Sequence, residues 1–208
     1  LTVTSNASFG GAVTGVTTLS VSGTSTISAN ITTSGTQAYT GAVTLSGGRT
    51  LTGSTVTFTS TVAGGTNSLA ITGNASFGGA VTGVTTLSVS GTSTISANIT
   101  TSSTQAYTGA VTLAGGRTLT GSTVTFTSTV DGGASSLIVT GNASFGGAVT
   151  NMTTLSVSGT STISANITTS STQAYTGAVT LAGGRTLSGS TVTFTSTVDG
   201  GANSLTVT

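Results

Sequence analysis

Asn6-Ala-Ser-Phe-Gly-Gly-Ala-Val-Thr14 returns as Asn74–Thr82 and again as Asn142–Thr150, at one constant spacing that the intervening sequence also obeys. The chain reads as three near-identical copies, 1–68, 69–136 and 137–204, followed by Leu205-Thr-Val-Thr208, which restates the opening Leu1-Thr-Val-Thr4. Tandem units of this kind stack along one axis, each covering the apolar face of its neighbour. The expected object is therefore one continuous solenoid. The chain starts without Met and stops as a fourth copy begins, so a longer parent protein is expected.

Inside each copy the dominant pattern is alternation. Leu1-Thr-Val-Thr4, Leu19-Ser-Val-Ser22 and Thr55-Val-Thr-Phe-Thr-Ser-Thr-Val62 put apolar groups on one side and hydroxyls on the other, the period-two signature of a strand. Gly10-Gly11, Gly23, Gly47-Gly48 and Gly64-Gly65 punctuate these runs and supply corners. Thr, Val, Ile and Gly abound while good helix formers are scarce, which disfavours helix throughout. These patterns predict an all-β fold, a parallel β-helix in which every strand pairs with its equivalent one coil away at about 4.8 Å.

The coil count is left open. Large apolar residues open segments at Leu1, Leu19, Ile31, Leu51 and Leu69, and the step from Leu19 to Ile31 is much shorter than the other three. That short step is awkward: either Ile31 serves two coils, giving three per copy, or four coils alternate in size. Nine to twelve coils would make a rod of about 45–60 Å. Equivalent segments are expected directly on top of each other, with Phe, Ile and Val stacked on their own kind inside, Thr and Ser in rows outside, and open strand edges at the ends. The copies differ mostly at proposed corners. Ser5 becomes Gly73 and Gly141, Gly35 becomes Ser103 and Ser171, Gly15-Val16 becomes Asn151-Met152, and Ala63 becomes Asp131 and Asp199. Core exchanges such as Val3, Ile71 and Val139 conserve volume.

Charge is almost absent: net +1, with Arg49, Arg117, Arg185, Asp131 and Asp199 the only charged side chains. Without His, Lys, Glu or Cys, no side chain titrates near neutrality to serve as a general base or to activate the many Ser and Thr hydroxyls. The two carboxylates sit a full period apart, which is no pair for glycoside cleavage. No enzyme, cofactor or metal is expected. Asp131-Gly-Gly and Asp199-Gly-Gly are weak echoes of calcium-binding repeats, but calcium takes six to eight oxygens and each copy offers at most one carboxylate, so a turn role is favoured. A charge of +1 provides no field for nucleic acid, and no stretch reaches the ~18 apolar residues of a membrane-spanning helix.

Four residue sets remain as candidates. Arg49, Arg117 and Arg185 follow Gly-Gly in each copy and are read either as a sparse contact row for a glycan or another fibre, or, in the favoured reading, as solvated corner residues. Asn6, Asn30, Asn74, Asn98, Asn142 and Asn166 each open an Asn-x-Ser/Thr pattern, as does Asn151, and are read as possible glycan acceptors, left-handed corner residues or a stacked Asn ladder. Tyr39, Tyr107 and Tyr175 are read as rings at the core edge with the hydroxyl outward. The Thr-x-Thr runs raise ice binding, although Leu19-Ser-Val-Ser and Phe9-Gly-Gly-Ala interrupt them.

Thr36-Gln-Ala-Tyr-Thr-Gly-Ala-Val-Thr-Leu45, Ser54-Thr-Val-Thr-Phe58 and Leu19-Ser-Val-Ser-Gly-Thr-Ser-Thr-Ile27 resemble the repeats of filamentous-haemagglutinin-like exoproteins, the giant β-helical bacterial surface proteins exported by two-partner or autotransporter routes. The resemblance spans all three copies. It implies a right-handed parallel β-helix, an extracellular place at the cell surface, and a role in adhesion, aggregation or biofilm matrix, and it supplies no catalytic residues. The expected function is thus the structural shaft of an extracellular fibre or adhesin. Its expected partners are neighbouring repeats, laterally associated copies or host-surface glycans. The alternatives are an amyloid-like or sheath fibre built by inter-chain stacking and an ice-binding solenoid.

Overall fold

Three-membered strands with a buried–exposed–buried pattern, such as Ser25–Ile27, Ile31–Thr33 and Val43–Leu45, are the building block. Such a strand offers two inward side chains and one outward one, so it covers a core only if other strands close around it. The computed structural model, which describes residues 1–208, closes them as a parallel β-solenoid of about 11 turns with about 19 residues per turn and no helix. Each turn has three faces. Thr2–Val3, Leu19–Val21 and Thr36–Tyr39 stack on the first. Ala7–Phe9, Ser25–Ile27 and Val43–Leu45 stack on the second. Val13–Val16, Ile31–Thr33 and the start of Arg49–Phe58 stack on the third. Longer strands run around corners, and Val62–Phe77 passes from the second face over the third to the first.

The copies do not lie on top of each other. Leu1 leads the strand Thr2–Val3 on the first face, whereas Leu69 pairs with Arg49 on the third, Leu137 with Arg117 on the second, and Leu205 with Arg185 back on the first. About 11 turns over three copies is about three and two-thirds turns per copy, so each copy is displaced by one face from the last. The short step from Leu19 to Ile31 has the same origin. It is two-thirds of a turn, from the first face to the third, while the longer steps, such as Ile31 to Leu51, are whole turns. The total falls within the nine to twelve coils expected, and the count per copy lies between three and four.

Equivalent residues of successive copies therefore do not touch, although Val stacks on Val and Phe on Phe within parts of each face. Down the first face the inward column reads Leu19, Gln37, Val56, Ala75, Ser93, Val111, Val130 and Val149. The second face spells part of the same list one period earlier, as Ala7, Ser25, Val43, Val62 and Val81. The third spells it one period later, as Ala143, Ser161, Val179 and Val198. Aromatic stacks move around the axis in the same way. Tyr39, Phe58 and Phe77 stack on the first face at centroid separations of 5.5 and 5.7 Å, Tyr107, Phe126 and Phe145 on the third, and Tyr175 and Phe194 on the second. Forty-three buried apolar residues form one uninterrupted core along the rod. At about 4.8 Å per coil its length is roughly 50 Å.

One corner explains a difference between copies. Gly73 has φ +126°, and a Cβ there would come 1.8 Å from the Gly53 carbonyl oxygen; Gly141 stands in the same relation to Gly121. Only glycine permits this approach. Ser5, at the equivalent place in the first coil, pairs toward the second coil alone and meets no such carbonyl.

Candidate functional site

Alternation in Thr36-Gln-Ala-Tyr39 turns Gln37 and Tyr39 to the same side, and that side is the core: both are fully buried. The Tyr39 hydroxyl donates to Gln37 Oε1 at 2.9 Å. Gln37 Nε2 donates to the Ile31 and Thr52 carbonyls at 3.2 and 2.7 Å. Thr33 Oγ1 beside them donates to the Gly35 carbonyl at 3.0 Å. Every strong polar atom of the pair has a partner, as a buried group requires. The same cluster recurs at Gln105–Tyr107 and Gln173–Tyr175, each on a different face. The expectation that the tyrosine hydroxyls point outward is thus corrected: they point inward, and burial pushes all three phenols well above the usual tyrosine range. Sequence reading missed the glutamine hub, although the i, i+2 relation of Gln37 to Tyr39 carried the signal.

A second buried polar set has no partner. Ser25, Ser93 and Ser161 face inward between apolar neighbours, and their hydroxyls make no hydrogen bond. The expected outside rows of Ser and Thr thus have exceptions: the period of two counted back from Ile27 turns Ser25 to the core side.

The six pattern asparagines are coil-to-coil fasteners. Oδ1 of Asn6, Asn74 and Asn142 accepts the N–H of Thr24, Thr92 and Thr160 at 2.9 Å. Oδ1 of Asn30, Asn98 and Asn166 accepts the N–H of Thr50, Thr118 and Thr186 at 3.0 Å. None of the six has positive φ; Asn151 does, at 53°. No ladder forms, since Asn74 lies beside Thr55 and Asn142 beside Thr123. All six are exposed, and their Nδ2 groups take no part in these bonds, so the atom that would carry a glycan is free.

The arginines share no face. Arg49 stands on the third, Arg117 on the second and Arg185 on the first, which breaks up the expected contact row. Each guanidinium is half-buried and folds back on its own Gly-Gly corner, donating to the carbonyl of Ser46, Ala114 or Ala182. Asp131 on the first face and Asp199 on the third each accept a backbone N–H two residues on, from Gly133 and Gly201. That geometry is an Asx-type turn.

A concavity of about 500 Å³ lies where the chain leaves the first face after Asp131, lined by Asp131, Gly133, Ala134, Asn151 and Met152 with Thr168–Ser170. Two of the copy-specific changes, Asp131 for Ala63 and Asn151-Met152 for Gly83-Val84, meet here. Met152 is buried in its floor. No group of three or more His, Cys, Asp or Glu side chains comes together in the molecule.

Outward positions form one column per face. On the first it reads Ser20, Ala38, Thr57, Ser76, Thr94, Thr112, Asp131 and Thr150, so hydroxyls are broken by Ala38 and Asp131. No helix is long and apolar enough to cross a membrane. No protein-family model matches the chain, and no curated protein or solved structure matches it.

Proposed function

We propose that this chain is the structural shaft of an extracellular bacterial fibre or adhesin, set at the cell surface. One observation carries the reading: each copy is turned by one face, so equivalent positions of the repeat, such as Arg49, Arg117 and Arg185, fall on different faces and no face gathers them. A binding module benefits from gathering its contact residues on one side. A strut benefits from similar stiffness in every bending direction, and three copies, each turned by one face and together closing about 11 turns, supply that. The uninterrupted core and coil-to-coil hydrogen bonds spread load over all faces, as nearest-neighbour stacking does in solenoids. The resemblance to filamentous-haemagglutinin-like repeats points to the same role.

The test is to probe the 208-residue chain on glycan arrays and on immobilised matrix proteins. A shaft binds neither, while fusion of a known binding domain to one end retains that domain's affinity. Saturable glycan binding lost on replacing Arg49, Arg117 and Arg185 would replace the shaft reading with an adhesive one. Thermal hysteresis in the same preparation would favour ice binding, against which Ala38 and Asp131 in the outward column already argue.

A further inference from the structure

The corner Gly132-Gly133-Ala134 departs from its counterpart one copy earlier. There Gly64-Gly65-Thr66 passes over Gly83-Val84 in the same register, since Asn67 pairs with Val84 as Ser135 pairs with Met152. That earlier corner is filled by its own side chains. Thr66 Oγ1 donates to the Gly65 carbonyl at 2.5 Å, and Asn67 Nδ2 donates to the Gly64 and Gly65 carbonyls at 2.8 and 3.1 Å. No concavity opens there. One copy later Ala134 replaces Thr66, and Ser135, whose hydroxyl is 3.4 Å from the Gly133 carbonyl, replaces Asn67. The corner empties, Asn151 adds a wall where Gly83 has none, and Met152 supplies the floor of a concavity of about 500 Å³.

The polar groups around this space are rich in acceptors and carry one negative charge. Asp131, half-buried, accepts the Gly133 N–H on Oδ1 at 3.0 Å and leaves Oδ2 unbonded. No cation neutralises it, because each of the three guanidinium groups is folded onto a carbonyl of its own corner, at Ser46, Ala114 or Ala182. Asn151 is exposed at φ 53°, and its amide is not tied to the next coil as the six fastening asparagines are. Thr168 and Ser170 bring exposed hydroxyls to the far rim. The Met152 side chain and the Ala134 methyl supply the apolar part. An unbranched thioether adapts its shape to what packs against it.

We propose that this concavity binds one small primary alkylammonium ion, its nitrogen against Asp131 and its methylenes over Met152. An ammonium carries three donors and no acceptor, which matches a free carboxylate oxygen, an amide oxygen and two hydroxyls. An anion is repelled by Asp131. An apolar ligand strips water from the carboxylate and returns nothing for it. A guanidinium fork wants both carboxylate oxygens, and Oδ1 is already held by Gly133. Charge, room, wall and floor come from Asp131, Ala134, Asn151 and Met152, and all four are exchanges against Ala63, Thr66, Gly83 and Val84. The inference rests on this one corner and does not depend on the shaft reading, since a strut can carry such a site without any change in its core.

Met152 is the only methionine, so isotope labelling of the methionine methyl places a single NMR signal in the floor of the site. Titrating the 208-residue chain with n-pentylammonium chloride should shift that signal saturably, with a millimolar Kd that weakens as salt is added. The uncharged isostere n-pentanol should bind at least about threefold more weakly. Asp131→Ala should weaken n-pentylammonium by a similar factor, and Ala134→Thr should abolish the saturable shift by closing the mouth. Both variants restore residues that the chain already holds at Ala63 and Thr66, where Thr66 has φ 66° against 59° at Ala134, so their circular dichroism should match the wild type. A methyl signal that does not shift, or shifts without saturating, overturns the proposal. So does equal binding of n-pentanol, or an Ala134→Thr chain that binds as the wild type does.

Discussion

Tyr39 Oη donates to Gln37 Oε1 at 2.9 Å, two residues away on the same strand and sealed inside an otherwise apolar stack. Gln37 in turn holds the Ile31 and Thr52 carbonyls, so it ties three segments of the coil together. Gln37→Leu would leave the tyrosine hydroxyl and these carbonyls unpaired in the core, a loss of about 2 kcal/mol. Tyr39→Phe should cost about 1 kcal/mol, and the double variant should cost less than the sum, because each change orphans the partner of the other. Urea unfolding midpoints of the three variants give the coupling directly. Strict additivity would mean that the bond contributes nothing.

The same burial makes stability depend on alkaline pH. All three phenols have pKa values raised above the ordinary 10.0 by desolvation. The unfolded chain then loses these protons first, so the folded state binds more protons in that range and stability falls as pH rises. The contribution is fully present below pH 10.0 and erodes above it. Thermal melts between neutrality and strong alkali should show a falling midpoint only beyond the ordinary tyrosine pKa. The triple variant Tyr39→Phe/Tyr107→Phe/Tyr175→Phe should lose most of that slope, although it starts from a lower stability.

Ser25, Ser93 and Ser161 run the opposite way. Each buries a hydroxyl with no partner, and an orphaned buried hydroxyl costs about 1–3 kcal/mol. Replacing each by Ala removes the polar atom and leaves only a small void, so each change should stabilise by about 1 kcal/mol, and the three should add because they stand on different faces. A rise in urea midpoint for all three variants is the expected outcome; a fall would reveal a hydrogen bond made in solution.

How much of this was legible in the sequence divides cleanly by range. Alternation in Leu19-Ser-Val gives the strands and their two sides, because these follow from period two alone, and the tandem repeat gives the solenoid. The phase of one copy against the next was not legible. It depends on how many corners one copy turns, and corners of different length, such as Gly64-Gly65-Thr66 beside the single-Gly turn at Gly23, leave no fixed mark in composition. Only the short step from Leu19 to Ile31 betrayed it, as two faces and not a short coil. The site residues were legible as types and not as roles. The Asn-x-Ser/Thr pattern found the six fasteners but could not tell that Oδ1 reaches the next coil, since its partner lies 18 or 20 residues away. An edge position for Tyr39 follows from the need of its hydroxyl for water or a partner, and Gln37 is that partner.

Gly73 and Gly141 should tolerate nothing larger. With φ near +126° and +128° and a neighbouring carbonyl 1.8 Å from the would-be Cβ, Gly73→Ala or Gly141→Ala forces a shift of two stacked coils. The expected loss exceeds about 2 kcal/mol, because strain and clash act together. Ser5→Gly, at the equivalent place in the first coil, should change the urea midpoint by less than about 1 kcal/mol equivalent. Similar midpoints for Gly73→Ala and Ser5→Gly would contradict the coil spacing at this corner.

Deleting one whole copy tests the phase itself. Removing residues 69–136 joins Ser68 to Leu137, a junction of the same kind as Ser68–Leu69, so no strand, corner or stack is interrupted. Stability per coil should stay the same, as nearest-neighbour stacking requires. The rod should shorten by about 18 Å, since about three and two-thirds coils are lost at about 4.8 Å each. The downstream copy should also turn by one face about the axis: Leu137 would move from beside Arg117 to beside Arg49, from the second face to the third. Spin labels at Thr26 on the second face and Thr162 on the third, both outward and exposed, read this as a pair distance. In the shortened chain Thr162 would take the place of Thr94 on the first face, nearer along the axis and one face further round. A distance that shortened with the label still on its original face would mean that copies stack by whole turns, and the incommensurate repeat, with the even distribution of surface groups that follows from it, would fall.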